Sequence, residues 1–561
     1  MHRSRLEHAL IVGLAALTAQ ACTPHPRALE DEARATGQPS GRVPLWDDLG
    51  TFHRPVTTPS ADAQRYFDQG LLLAYAFNHD AALLAYEEAA TIDPNCGMAW
   101  WGIAHANGPH INLPVQDPAR AQRALRALER ARACEGLAEV EVALIEAQAA
   151  RFSPDPQADR KTLDRAYGTA MAGVWRRFPR DADVGVLYAE SLMNVNPWDL
   201  WTPDGQPKHD ALEIVATLEA VRAFAPDHPQ ANHLYIHAVE ASREPERAID
   251  AADRLRHAAP GASHLVHMPS HIDVLTGRFQ EASEANERAI AADEKHGRAT
   301  ARTGFYQVYM AHNRHMLAFA SMMEGRQEAA LRAARDMVAQ VPPEFLAGDF
   351  GPAIDGLMPV VLHTLVRFGR WEEVLAEPPF GPELLAANAV RSYARGVALA
   401  ALGRLDEAQA ELDALARAAA TMDDRPIGNT PAKRVLQVPL KVLEGELLFR
   451  RGQEAEGIAA LREAAVAEAT LTYAEPPDWM QPVRHTLAAT LLVAGRPVEA
   501  EQAAREDLRR FPKNIWSLTG LAKALRAQGR AGDAQEVEAE LGKLRERADI
   551  DVPSPCLCQP G

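Results

Sequence analysis

Residues Ala63 to Pro94 read AQRYFDQGLLLAYAFNHDAALLAYEEAATIDP. Counted from Ala63, Gly70 is the eighth residue, Ala82 the twentieth, Tyr86 the twenty-fourth, Ala89 the twenty-seventh and Pro94 the thirty-second. Small residues at those places let two helices cross closely. The proline, which lacks an N–H and clashes with the preceding turn, stops the second helix. The next unit, from Gly97, repeats the scheme with Trp100 fourth and Ala104 eighth.

Working outward, the same punctuation recurs. Glycine followed by Arg or Gln stands at Gly277, Gly325, Gly369, Gly403, Gly452, Gly495 and Gly529, at spacings of 48, 44, 34, 49, 43 and 34 residues. An alanine follows five residues after most of them, at Ala282, Ala330, Ala408, Ala500 and Ala534. Each glycine closes one amphipathic stretch and opens another. Self-similarity at this period marks a repeat array. Units start near residues 63, 97, 182, 229, 263, 311, 355, 389, 438, 481 and 515, with an irregular pair over 137–178.

The small, aromatic and proline positions resemble the tetratricopeptide repeat. That resemblance covers roughly residues 60–545 and implies an all-α, right-handed superhelical solenoid of about eleven to twelve helix pairs. It implies little about activity, because a fold of this kind hosts many functions. No G-x-G-x-x-G, P-loop, G-x-S-x-G or H-E-x-x-H is present.

The remaining organisation follows from composition. Arg3 and Arg5, the apolar run Ala9–Thr18 and Ala19-Gln20-Ala21 read as an export signal over 1–21, too short to span a bilayer. Cys22 follows at once and resembles the acceptor of a bacterial lipoprotein, although Ala19 stands where Leu is usual. Periplasmic or membrane-anchored localisation is therefore expected, with plain secretion as the alternative. Residues 22–45 form a flexible tether, 46–545 the solenoid and 546–561 a tail. The net charge of −17 argues against nucleic-acid binding and against docking on an anionic membrane through charge. Membrane association is expected only through Cys22. Cys96 and Cys134 are candidates to pair. Cys556 and Cys558 form a C-x-C, in which a disulfide is strained, so they read as ligands, redox partners or a frayed end.

Chemistry concentrates between His233 and His315. By the geometry that the resemblance implies, the first helix of each unit lines the concave face, and its positions 2, 5, 9 and 12 share one stripe. His233, His237 and Glu240 take positions 5, 9 and 12 of one unit. His264, His267 and His271 take 2, 5 and 9 of the next, and His312 and His315 take 2 and 5 of the one after. His105, Glu190 and His363 are position 9 of theirs. Packed helices lie about 8–10 Å apart, so imidazoles from neighbouring first helices reach one ion. A mononuclear site from His233, His237, His267 and His271 is the natural set, with His264, His312 and His315 as further ligands. Glu190 and Glu240 would serve as ligand, orienting acceptor or general base. Pro269 removes a helical hydrogen bond and would bend its helix between His267 and His271.

Imidazole suits Zn, Cu, Fe or Ni. Met268, Met310, Met316, Met322 and Met323, and a folded-back Cys556/Cys558, favour copper over zinc or iron, although methionines more often fill cores. Two loops interrupt their units on one edge. Asn107–Asn112 carries His110, and Asn196–Gly205 carries Trp198 and Trp201; both read as substrate loops, or as plugs at irregular joints. Glu475–Trp479 is a similar loop. The whole arrangement resembles exported bacterial tetratricopeptide proteins with a histidine-rich inner face and a C-x-C tail. It points to a metal-binding protein, either a metal-dependent oxidoreductase or hydrolase, or an envelope scaffold taking a peptide, protein or small molecule in its groove. Peptide binding or inter-repeat hydrogen bonding by the histidines without metal stays open.

Overall fold

The computed structural model describes residues 43–297, 305–342, 345–346 and 351–559. The export signal, Cys22 and all but the end of the tether lie outside the described residues.

Among the described residues the chain is all-α apart from a two-stranded antiparallel pair, β1 (Pro426–Ile427) with β2 (Thr430–Pro431). Consecutive helices pack as pairs, as the tetratricopeptide resemblance implies. Two compact units result, one running to Pro269 with Arg288–Tyr309, the other comprising Ser270–Glu287 with Met310 onward. In the first lie α1 (Ala61–Tyr75), α2 (His79–Ile92), α3 (Gly97–Ala106), α4 (Pro118–Arg132), α5 (Glu139–Ala149), α6 (Arg160–Arg177), α7 (Ala182–Met193), α8 (Ala211–Phe224), α9 (Pro229–Val239), α10 (Ile249–Leu255) and α11 (Ser263–His267). The helices α12 (Pro269–Leu275), α13 (Phe279–His296) and α14 (Tyr306–Glu324) each have residues in both units. The second unit continues with α15 (Gln327–Gln340), α16 (Gly351–Asp355), α17 (Val360–Arg367), α18 (Trp371–Ala376), α19 (Leu385–Ala401), α20 (Leu405–Thr421), α21 (Ala432–Val435), α22 (Gln437–Arg450), α23 (Glu454–Ala469), α24 (Val483–Val493), α25 (Pro497–Arg510), α26 (Ile515–Ala527) and α27 (Ala531–Arg545).

The small-residue positions do what the sequence asks of them. The fully buried Tyr86 ring on α2 lies between Gly70 on α1 and Gly102 on α3. A Cβ at Gly70 would stand 2.7 Å from that ring, and one at Gly102 would stand 2.3 Å from it. Any larger residue at either glycine would push the three helices apart.

The recurring glycines sit in the left-handed region, at φ 64° to 81° for the seven from Gly277 to Gly529. The residue after each donates its N–H to the carbonyl five positions before the glycine's successor, as in Arg404 to Leu399 and Gln453 to Leu448, both 2.9 Å. This is the Schellman ending of a helix, and glycine accepts its conformation without a Cβ penalty. The turn between α1 and α2 closes with the same bond, Asn78 N–H to the Leu73 carbonyl at 2.9 Å. There, however, the left-handed position belongs to Phe77, at φ 54°.

Pro269 acts as expected. α11 ends at His267 and α12 begins at Pro269, with Met268 between them. Cys96 and Cys134 do not pair; both are free thiols, Cys96 buried and Cys134 partly so. No described helix is long and apolar enough to cross a membrane.

Candidate functional site

The first unit gathers His233, His237 and His264. Pro229 occupies the first turn of α9, where its missing N–H costs nothing. One turn further the four-residue step puts His233 and His237 on the same face, ring centroids 4.9 Å apart. His264 enters from α11, 5.0 Å from the His233 ring and 6.2 Å from that of His237. One nitrogen from each ring lies within 4.8 Å of the others, close enough to share an ion. The three residues are 0%, 6% and 2% exposed in that order, so the cluster is buried. Sequence reasoning placed them on an open concave surface; the covering groups described below make the difference.

Each α9 histidine is oriented from behind. His233 Nδ1–H donates to Gln230 Oε1 at 2.9 Å, and His237 Nδ1–H donates to Glu240 Oε1 at 3.0 Å. With Nδ1 so engaged, Nε2 is the nitrogen each ring would offer an ion, the arrangement in which metal-binding histidines are usually held. Gln230 in turn hydrogen-bonds Glu190, whose carboxyl is raised by burial despite that bond. Both glutamates that the sequence offered as ligands or bases thus stand behind imidazoles, Glu240 directly and Glu190 through Gln230. His267 stacks on His264 with centroids 5.8 Å apart.

The two interrupting loops close over this cluster. Trp198 meets the His237 ring edge-on at 5.2 Å, and its indole Nε1–H donates to Asn112 Oδ1 at 3.0 Å. Asn112 Nδ2 donates to the Tyr309 hydroxyl at 3.0 Å, and the Tyr309 ring lies 4.8 Å from His264. Trp201 Nε1–H donates to the Ala238 carbonyl at 2.8 Å, tying the same loop to α9. Trp198 keeps 38% exposure and a left-handed φ of 59°, so the loop holds it in a costly conformation at the rim.

Sequence reasoning missed Phe77, His79 and Tyr309. The Phe77 ring contacts His233 at 4.7 Å, His264 at 5.2 Å and His110 at 5.0 Å. Behind it, His79 lies 4.5 Å from His110 and 6.2 Å from His105. Burial, helped by nearby Arg151, pushes His105 and His110 down to about 3, and His79 is also driven well below the usual imidazole range. All three rings are neutral at pH 7. The one signal available was that Phe77 replaces the glycine of the other turns.

The other singled-out residues lie in the second unit. His271 pairs with Glu475, from the Glu475–Trp479 loop, and its ring is 5.7 Å from that of His312. His315 Nε2 lies 3.2 Å from Met480 Sδ, and burial pushes this imidazole down to about 4. His363 packs edge-on against Trp479 at 4.9 Å and is pushed down to about 3 by burial. Met316, Met322 and Met323 are at most 1% exposed and fill the core. Cys556 and Cys558, read as ligands or redox thiols, are joined in a disulfide; in that state neither offers a thiolate to a metal.

No protein-family model matches this chain, and no match was found among curated proteins. Among solved structures it is similar to the human IFIT1 dimer with m7Gppp-AAAA, at 12% identity over 87% of this chain and 91% of that one, TM-score 0.30. It is also similar to the APC/C hetero-tetramer Cut9-Hcn1, at 12% identity over 93% and 81%, TM-score 0.29.

Proposed function

We propose that the first unit binds a transition-metal ion through His233, His237 and His264. The observation that carries this reading is the convergence of the three rings, with the α9 pair oriented toward it. Gln230 and Glu240 each take an Nδ1–H, which fixes the tautomer that presents Nε2 toward the shared position. Such bonds would also satisfy buried imidazoles that hold no metal; the convergence of one nitrogen from each of the three rings within 4.8 Å is what adds an ion to the reading. Three imidazole ligands and no thiolate suit zinc, copper or iron. With the Cys556 and Cys558 sulfurs bonded to each other, the soft-ligand argument for copper rests on thioethers alone.

His233, His237 and His264 would hold the ion, and an ion held by three protein ligands would supply Lewis-acid chemistry or activate water. The surrounding residues support a metal-dependent enzyme over a peptide-binding scaffold, since the histidines are clustered and covered rather than spread along a groove. Trp198, Asn112 and Tyr309 form the cover, and the neutral rings of His79, His105 and His110 provide polar groups beside Phe77 for a small ligand. Export through residues 1–21, with anchoring at Cys22, belongs to the same reading and is tested by fractionation with and without Cys22→Ser.

Elemental analysis of the full chain, expressed with its signal, tests the metal. About one equivalent of zinc, copper or iron per chain is expected. It should fall severalfold in His233→Ala and His264→Ala variants that keep native circular dichroism. Trace metal in the wild-type chain, unchanged after reconstitution, would sink the proposal.

A further inference from the structure

In the second unit the stretch 552–559 lies against helices α17, α22, α24 and α26. The Arg367 guanidinium on α17 donates to the Pro555 carbonyl at 3.5 Å, and Arg450 on α22 donates to the Cys558 carbonyl. Gln559 Nε2 donates to Glu446 Oε2, also on α22, at 2.9 Å. Pro555 packs over Gly520 on α26, where a Cβ would come within 3.1 Å. Thr486 on α24 lies under the two sulfurs. The segment is pinned on both sides of Cys556–Cys558 by contacts that do not need the disulfide. A bond closing a loop with one residue between its ends also restricts the unfolded chain very little. A stapling role therefore explains little of it.

The two sulfurs are unequal. Cys556 is partly exposed, whereas Cys558 is 2% exposed. Two donors converge on the accessible one: the Cys558 backbone N–H at 3.2 Å from Cys556 Sγ and the Thr486 hydroxyl at 3.6 Å. Donors aimed at a sulfur stabilise its thiolate, and the thiolate is the form that attacks and leaves in exchange.

We propose that Cys556–Cys558 is a thiol–disulfide exchange site that oxidises protein dithiols, with Cys556 as the exchanging sulfur and Cys558 as the resolving one. A thiolate of the partner dithiol attacks Cys556 Sγ. The bond to Cys558 breaks, and Cys558 leaves as a thiolate that takes up a proton. The partner's second thiolate then attacks the partner sulfur of the mixed disulfide. Cys556 leaves as a thiolate held by the Cys558 N–H and the Thr486 hydroxyl. The partner loses two electrons and closes a disulfide; the C-x-C pair gains two electrons and becomes a dithiol.

The native full chain is incubated with a synthetic dithiol peptide, and both are alkylated and mapped by mass spectrometry, which separates the pair from Cys96 and Cys134. The expected result is stoichiometric peptide disulfide with matching reduction of Cys556 and Cys558. Offered a one-cysteine peptide activated as its thiopyridyl mixed disulfide, Cys558→Ser should trap the peptide on Cys556 with release of the thiopyridone, while Cys556→Ser traps none. Thr486→Val should slow alkylation of reduced Cys556 at pH 7 by roughly three- to tenfold. A pair that stays oxidised in the native chain under millimolar dithiothreitol, or equal trapping in both serine variants, overturns the proposal.

Discussion

The Phe77 ring stands edge-on to the His233 ring, 4.7 Å between centroids, from a turn position that glycine fills in seven later repeats. Holding an L side chain in the left-handed region costs about 1–2 kcal/mol, so the ring must gain more than that from its packing. Phe77 is 3% exposed, and removal of a buried phenyl ring costs about 3–5 kcal/mol. Phe77→Gly should therefore destabilise the first unit by roughly 2 kcal/mol in chemical denaturation, despite the better turn. A stabilised variant would mean that the ring is merely tolerated.

Glu240 makes a prediction that separates orientation from ligation. Glu240→Gln leaves all three imidazoles in place and keeps an oxygen to accept from His237 Nδ1, but removes the charge behind the ring. Loss of such a partner typically weakens metal binding about 10–100-fold. Competition against a chelator of known affinity measures it, and an affinity equal to wild type would remove Glu240 from the site.

The histidines show where periodicity is informative and where it stops. A four-residue step within one helix is local, so the facing of His233 and His237 was legible. Which residue of the following repeat meets them depends on how the chain enters α11 and breaks at Met268, and periodicity does not encode that path. His264 therefore joins them in the first unit, while His267 stacks behind it. The turn glycines were legible because left-handed backbone selects one residue type. Phe77 escaped notice because the pattern at that turn lacks its glycine, and a missing signal reads as a gap. The covering loops were legible as loops, but the Trp198–Asn112 hydrogen bond joins residues 86 apart and depends on tertiary packing.

Asp478 gives the second unit a dependence on pH. Its carboxyl is pushed up to about 7 by burial, only partly offset by hydrogen bonds from Thr430 and the Asn429 N–H. A group whose pKa is higher in the folded chain stabilises below its unfolded value, here about 4, and loses that contribution as pH rises through about 7. Thermal unfolding of the second unit should thus be easier at pH 8 than at pH 5, by on the order of 3 kcal/mol from this group. Asp478→Asn keeps an acceptor for Asn429 and should flatten the profile between those values. An unaltered profile in the variant would assign the dependence elsewhere.

Asp183 should act in the opposite direction on the first unit. Burial alone would raise its carboxyl, but the hydrogen bond from His228, the charge of Arg54 and the Tyr75 hydroxyl hold it well below the usual range. Arg54 Nη1 lies 2.7 Å away and Tyr75 Oη also 2.7 Å. Here the folded pKa is depressed, so the stabilisation is complete above the unfolded value near 4 and is lost as pH falls below it. The first unit should therefore unfold in acid before the second does. Asp183→Asn leaves the buried Arg54 with Asp181 as its other carboxylate and should cost about 3–5 kcal/mol at neutral pH. The same substitution should shift acid unfolding of this unit, followed by the near-ultraviolet signal of its tryptophans, to a range in which pH between 2 and 4 matters little. Unchanged acid sensitivity would show that other carboxylates control it.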